Sequence, residues 1–147
     1  MTATKSEPRL ELRLKRVFEA PPDRVFRAWI EPEALRRWKA PGDAEVVLAE
    51  VDLQVGGRYR IHMRGGDGTM YRLTGEYREI SPPLRLSFTW HWETDPAEKE
   101  TLVTVDFRDL GGRTEVTLVH GGFTVEAERD GHGRGWDGAF VKLAAFF

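Results

Sequence analysis

From Val46 to Gly121 apolar and polar side chains alternate in run after run, and glycine or proline cuts each run from the next. A period of two belongs to a β-strand with one buried and one wet face, so this stretch commits most of the chain to a sheet. Val46 to Leu53 opens the series, and Tyr59, Ile61 and Met63 then share one parity against Arg58, Arg60, His62 and Arg64. Gly65-Gly66-Asp67-Gly68 reads as a hairpin turn, after which Tyr71, Leu73, Gly75 and Tyr77 carry the inward parity. Beyond Ser81-Pro82-Pro83, Leu84, Leu86, Phe88, Trp90 and Trp92 form the richest apolar face in the chain. Val103, Val105 and Phe107 follow, then a second turn at Asp109-Leu110-Gly111-Gly112, then Val116, Leu118 and His120.

Upstream, Leu10, Leu12, Leu14 and Phe18 alternate with charged residues and predict a further strand, with Arg16 on its apolar side. An unpaired buried charge is prohibitive, so Arg16 reads as an arginine that snorkels to the rim of the sheet. Ala20-Pro21-Pro22-Asp23 ends that strand and opens a short helix with Val25, Phe26, Trp29 and Ile30 on its inner face. Pro32 interrupts it, Glu33 to Trp38 predicts a second short helix, and Pro41-Gly42 closes the pair.

Seven strands with one apolar face must be covered. The cover is the last segment, Gly135 to Phe147, where Trp136, Phe140, Leu143 and Phe147 recur at i, i+4, i+7 and i+11 on one helical stripe. Burying each is worth about 1.5 to 3 kcal/mol, whereas a helix this short is marginal alone. The expected architecture is α+β: a curved antiparallel sheet of six or seven strands wrapped around a C-terminal helix, with two short helices after the first strand. A bent sheet offers more apolar area than one helix occupies, and the surplus predicts a cavity. Gly75 is expected to leave room on the inward face. Gly133, Gly135 and Gly138 cost about 1 kcal/mol each within a helix, so its first half is expected to be bent, frayed or packed unusually close, or to form a flap over the cavity mouth.

The chain has 147 residues, 40% apolar and 31% charged, which suits a single domain with a polar lead-in over residues 1 to 8. A net charge of -2 speaks against electrostatic binding to nucleic acid or an anionic membrane. The absence of cysteine excludes disulfides and thiol chemistry. With no apolar leader in Met1 to Arg9 and no long apolar run, the expected location is cytoplasmic, with no membrane insertion.

Several stretches carry a family resemblance: Arg16-Val-Phe-Glu-Ala-Pro21, Arg24-Val-Phe-Arg-Ala-Trp29, Trp38, Asp52-Leu-Gln-Val-Gly-Gly57, Gly75-Glu-Tyr77, Pro82-Pro-Leu84, Phe88-Thr-Trp90, Thr117-Leu-Val-His120 with Phe123, and Gly135-Trp136. Over residues 9 to 147 the chain resembles bacterial proteins related to the C-terminal domain of the Hsp90 ATPase activator, within the START or Bet v 1-like superfamily. Gln54 stands where relatives often carry Arg. The resemblance implies the helix-grip fold and a hydrophobic cavity beneath the long helix, used in the superfamily for lipids, polyketides and other apolar ligands.

The expected cavity lining is aromatic: Trp29, Trp38, Tyr71, Trp90, Trp92, Phe107, Trp136 and Phe140, with Met63 and His120. His120 lies among Val116 and Leu118, where an imidazole is more often a satisfied structural residue than an acid or base. No residue at a diagnostic spacing completes a catalytic arrangement with it, so no catalytic residue is assigned. His91 and Glu93 at i, i+2 face outward and make a poor metal pair, and the glycine turns have no phosphate-binding spacing, so neither metal nor cofactor is expected. Three readings follow: a non-catalytic protein holding an apolar small molecule, an Hsp90-type co-chaperone suggested by the resemblance, and a cofactor-independent enzyme using His120. A chaperone partner and a homodimer stay open.

Overall fold

The computed structural model describes residues 9–147, so the lead-in expected over residues 1–8 lies outside the described residues. Strand β1 (Leu10–Phe18) leads to helices α1 (Pro22–Ile30) and α2 (Pro32–Trp38). Strands β2 (Glu45–Val51), β3 (Arg58–Arg64), β4 (Met70–Ser81), β5 (Arg85–Trp92), β6 (Thr101–Asp109) and β7 (Thr114–Phe123) follow, and α3 (Glu126–Phe146) closes the chain. The strands form one antiparallel sheet in the order β1-β7-β6-β5-β4-β3-β2. This is the curved seven-stranded sheet and α+β helix-grip architecture that the alternation predicts.

The topology explains the two short helices. β1 and β2 lie at opposite edges of the sheet, so the chain between them must cross from one edge to the other. α1 and α2 make that crossing, each begun by a proline in its first turn, where the missing N–H costs nothing. The Trp38 Nε1 donates to Ala28 O at 2.8 Å and locks the second helix to the first. Lys142 on α3 donates to Ala40 O at 2.6 Å and Ala44 O at 3.1 Å, tying the loop after α2 to the terminal helix.

Trp136, Ala139, Phe140 and Leu143 of α3 are buried against the sheet with Phe18, Leu86, Val103, Val105, Val116 and Leu118. α3 begins at Glu126, well before Gly135. Arg16 does stay at the rim: it is exposed, its Nη2 donates to Asp137 Oδ1 at 2.8 Å, and its guanidinium carbon lies 5.9 Å from the Phe140 ring centre.

Two local expectations are corrected. Leu84 precedes β5 and is 65% exposed, while Ser87 and Thr89, of outward parity, are buried. Their hydroxyls are satisfied: Ser87 Oγ donates to Val103 O at 3.2 Å, and Thr89 Oγ1 accepts from Glu76 N at 2.8 Å beside a register shift between Tyr77 and Glu79. Gly75 leaves no empty room either. A Cβ there would overlap Thr89 O and come within 2.5 Å of the Tyr59 ring, because Tyr59 fills that space and donates its hydroxyl to Thr89 O at 2.6 Å.

Candidate functional site

A cleft of about 840 Å³ opens between α3 and the sheet. Four segments bound it: the loop after α2 (Lys39, Pro41, Asp43, Ala44), the β3–β4 hairpin (Met63, Gly65 to Asp67, Met70 to Arg72), the end of β5 and the residues after it (Trp90, Trp92, Thr94, Asp95), and the first half of α3. α3 presents Gly131, Gly135 and Ala139 here at i, i+4 and i+8, a stripe almost without side chains. A Cβ added at Gly135 would meet nothing within 4 Å. Gly138 turns elsewhere and lets the helix press on Pro41, whose Cβ would lie 2.9 Å from an added methyl. The helix glycines thus act in two ways, one by close packing and others by leaving volume.

Among the aromatic and apolar candidates, Met63, Tyr71, Trp90, Trp92 and Trp136 line the cleft. Trp29, Trp38, Phe107 and Phe140 do not, because α1 and α2 fill that end of the sheet and convert it to core, and His120 does not, because the rings of Trp90, Phe123 and Trp136 pack around it. Trp29 has its ring centre 4.7 Å from Trp38, 5.8 Å from Trp136, 6.0 Å from Phe140 and 6.1 Å from Phe107.

His120 is fully buried and both ring nitrogens are engaged. Trp136 Nε1 donates to His120 Nδ1 at 3.0 Å, so the proton sits on Nε2, which donates to Thr101 Oγ1 at 2.8 Å. The Thr101 hydroxyl passes the chain on to Trp90 O at 3.3 Å. Protonating His120 would set its Nδ1–H against the Trp136 N–H, and burial already holds its pKa well below the usual imidazole value, with His132 and Lys39 adding to the effect. The geometry suits a structural strut and leaves no lone pair for an acid or base role.

His132 has the complementary arrangement. It accepts from Trp92 Nε1 at 3.0 Å on Nε2 and donates from Nδ1 to Glu128 O at 2.7 Å, one helical turn back. Burial lowers its pKa, partly opposed by Glu128. The two histidines therefore anchor two of the indoles around the cleft, Trp136 and Trp92, as neutral rings.

Lys39 is the residue that periodicity does not single out. It is only 5% exposed, with Nζ 4.1 Å from the Trp90 ring centre and 4.6 Å from that of Trp136. Burial alone lowers its pKa from 10.5 to about 7. In Arg36-Arg37-Trp38-Lys39 nothing distinguishes the lysine from the two arginines before it. His132 was legible, as the residue four before Trp136 on the same helical stripe.

The outer face is ordinary. Arg60 pairs with Glu50 at 3.4 Å, Arg64 with Glu45, and Glu93 accepts from His62 at 3.4 Å, contacts worth about 0 to 1 kcal/mol each. His91 Nε2 is spent on Asp95 O at 3.0 Å. Among the described residues no cluster of three or more His, Cys, Asp or Glu could hold a metal ion, and no helix is long and apolar enough to cross a membrane.

A model of the family described as Activator of Hsp90 ATPase homolog 1-like protein matches residues 19–147. No curated protein is significantly similar in sequence. Solved structures share its fold. A crystal structure of a protein from Chromobacterium violaceum is 28% identical with a TM-score of 0.85, covering 92% of this chain and 94% of that one. The crystal structure of the AHSA1 protein from Silicibacter pomeroyi is 27% identical with a TM-score of 0.83, covering 92% and 96%. The solution structure of an AHSA1-like protein from Aeromonas hydrophila is 26% identical with a TM-score of 0.76, covering 93% and 91%.

Proposed function

The chain belongs to the family of Activator of Hsp90 ATPase homolog 1-like proteins, and on that premise we propose that it holds an apolar or aromatic small molecule, of the lipid or polyketide kind, between its sheet and α3. The observation that carries this reading is the cleft itself. Its volume of about 840 Å³ falls within the range of about 300 to 1,000 Å³ usual for small-molecule sites, and indole, phenol and thioether groups dominate its inner wall. Flat apolar ligands gain both buried area and stacking against such a wall. Native mass spectrometry of the freshly purified protein tests it: a retained small molecule, released on denaturation, is the expected result. A bare polypeptide mass, together with no thermal shift across a panel of aromatic and lipid ligands, would overturn it.

A chaperone partner is the second reading, favoured by the family description, which names an activator of the Hsp90 ATPase. Co-purification with the resident Hsp90 and a changed ATPase rate would promote it. An acid–base role for His120 has no support from its buried, doubly bonded ring.

A further inference from the structure

Two donors in the wall of the cleft have no acceptor among the described residues: the Lys39 ammonium and the Trp90 indole N–H, which is buried and unpaired. The other lysines near α3 show what pairing looks like. Lys99 reaches both oxygens of Glu128 at 3.1 and 2.9 Å, and Lys142 takes two backbone carbonyls. Lys39 has only the faces of Trp90 and Trp136. An indole face attracts a cation but supplies no lone pair for an N–H, so an ammonium with three donors finds no protein acceptor there. Burying such a group without a partner is costly, and a methionine would occupy the same slot without that cost. An oxygen anion arriving with a ligand would supply that partner.

Resting on the reading of this cleft as a ligand site, we propose that its ligand is an apolar acid: a hydrocarbon or aromatic body against Met63, Trp92 and the glycine stripe of α3, ending in one carboxylate that receives the Lys39 ammonium between Trp90 and Trp136. Among anions, the charges around the cleft leave room for one negative charge sooner than for two. Asp43, Asp67, Asp95 and Glu128 line it against Arg72, so a dianion such as phosphate meets more repulsion than a carboxylate does, while a cationic ligand meets Lys39 itself.

The choice has a signature in protons. His120 and His132 face Lys39 as neutral rings, and the carboxylates and Arg72 just named are the charged groups around it. Because burial holds the empty site's lysine near pH 7, above that pH the free amine must take up a proton before it can pair with a carboxylate. Acid affinity then falls by up to about tenfold per pH unit above 7.

The test is a tryptophan-fluorescence titration at pH 7 with decanoic acid, 2-naphthaleneacetic acid and 1-pyrenebutyric acid, each beside its methyl ester, on the wild-type chain and on Lys39→Met. At least one acid should bind about ten- to a hundredfold tighter than its ester, the strength of one charge-assisted pair, and Lys39→Met should erase the difference. Calorimetry of the wild type at pH 8.5, in two buffers of different ionisation enthalpy, should show uptake approaching one proton per acid bound, a readout that does not depend on the variant folding. If acid and ester bind alike, if the preference survives in a folded Lys39→Met, or if no proton is taken up, the cleft is a ligand site and the acid assignment is wrong. If neither acids nor esters bind, the ligand reading itself falls and the assignment with it.

Discussion

His120 accepts at Nδ1 and donates from Nε2, whereas Lys39 makes no hydrogen bond to the protein, yet burial lowers the pKa of both bases. For Lys39 the folded pKa of about 7 lies below the ordinary 10.5, so between those values the unfolded chain holds a proton that the folded chain has lost. Stability therefore rises with pH through that window, and the penalty is complete below pH 7. Lys39→Met should raise stability at pH 6 by roughly 3 to 5 kcal/mol and flatten the rise towards pH 10, as read by urea denaturation at both pH values. His120 is also depressed, so its cost appears as pH falls below the ordinary imidazole value of 6.5. His120→Ala leaves Trp136 Nε1 and Thr101 Oγ1 without their partner and opens a void, which should destabilise by about 2 to 4 kcal/mol and remove part of the loss of stability in acid. The structural character of His120 was legible from its parity among Val116 and Leu118. Lys39 was not, because a charged residue after a short helix is by default solvated, and only Trp90 and Trp136, contributed from distant elements, remove it from water.

At the scale of elements, α3 departs most from a reading by pattern. The apolar stripe that marks it begins only at Trp136 and its first half is rich in glycine, yet the chain is helical from Glu126. The cost of about 1 kcal/mol per glycine is accepted where contacts demand it. Gly138 and Gly135 separate the causes. Gly138→Ala forces a methyl onto Pro41 and should destabilise by about 1 to 3 kcal/mol. Gly135→Ala meets open space and should gain about 1 kcal/mol of helix propensity. Thermal unfolding of the two variants should move in opposite directions, the second upward by about 3 °C. The strands, by contrast, were readable except in β5, where Ser87 and Thr89 are buried on the side that parity assigns outward and a register shift interrupts the pairing with β4.

For the whole molecule, the grip works as a division of labour along α3. Phe140 and Leu143 close one end of the sheet together with α1 and α2, and Gly131 and Gly135 leave the other end open beside Trp136. Filling that gap should abolish ligand binding without harming the fold. Gly135→Phe is expected to weaken binding of 1-pyrenebutyric acid at least tenfold while the far-ultraviolet circular dichroism stays that of the wild type. A variant that binds as well as the wild type would place the ligand elsewhere. Half of the expected lining residues face this gap and half are core, and the division follows from where the crossing helices land.

The alternation of side chains by itself determined that this chain makes an antiparallel sheet closed by a terminal amphipathic helix, because a period of two or of nearly four is a local property that each segment carries alone. Which apolar residues became wall and which became core, and that a lysine would lie buried against two indoles, only the tertiary structure decided. Those outcomes depend on the positions of side chains far apart in sequence, here the loop after α2, the end of β5 and the middle of α3, and no local pattern records which distant neighbour a side chain will meet.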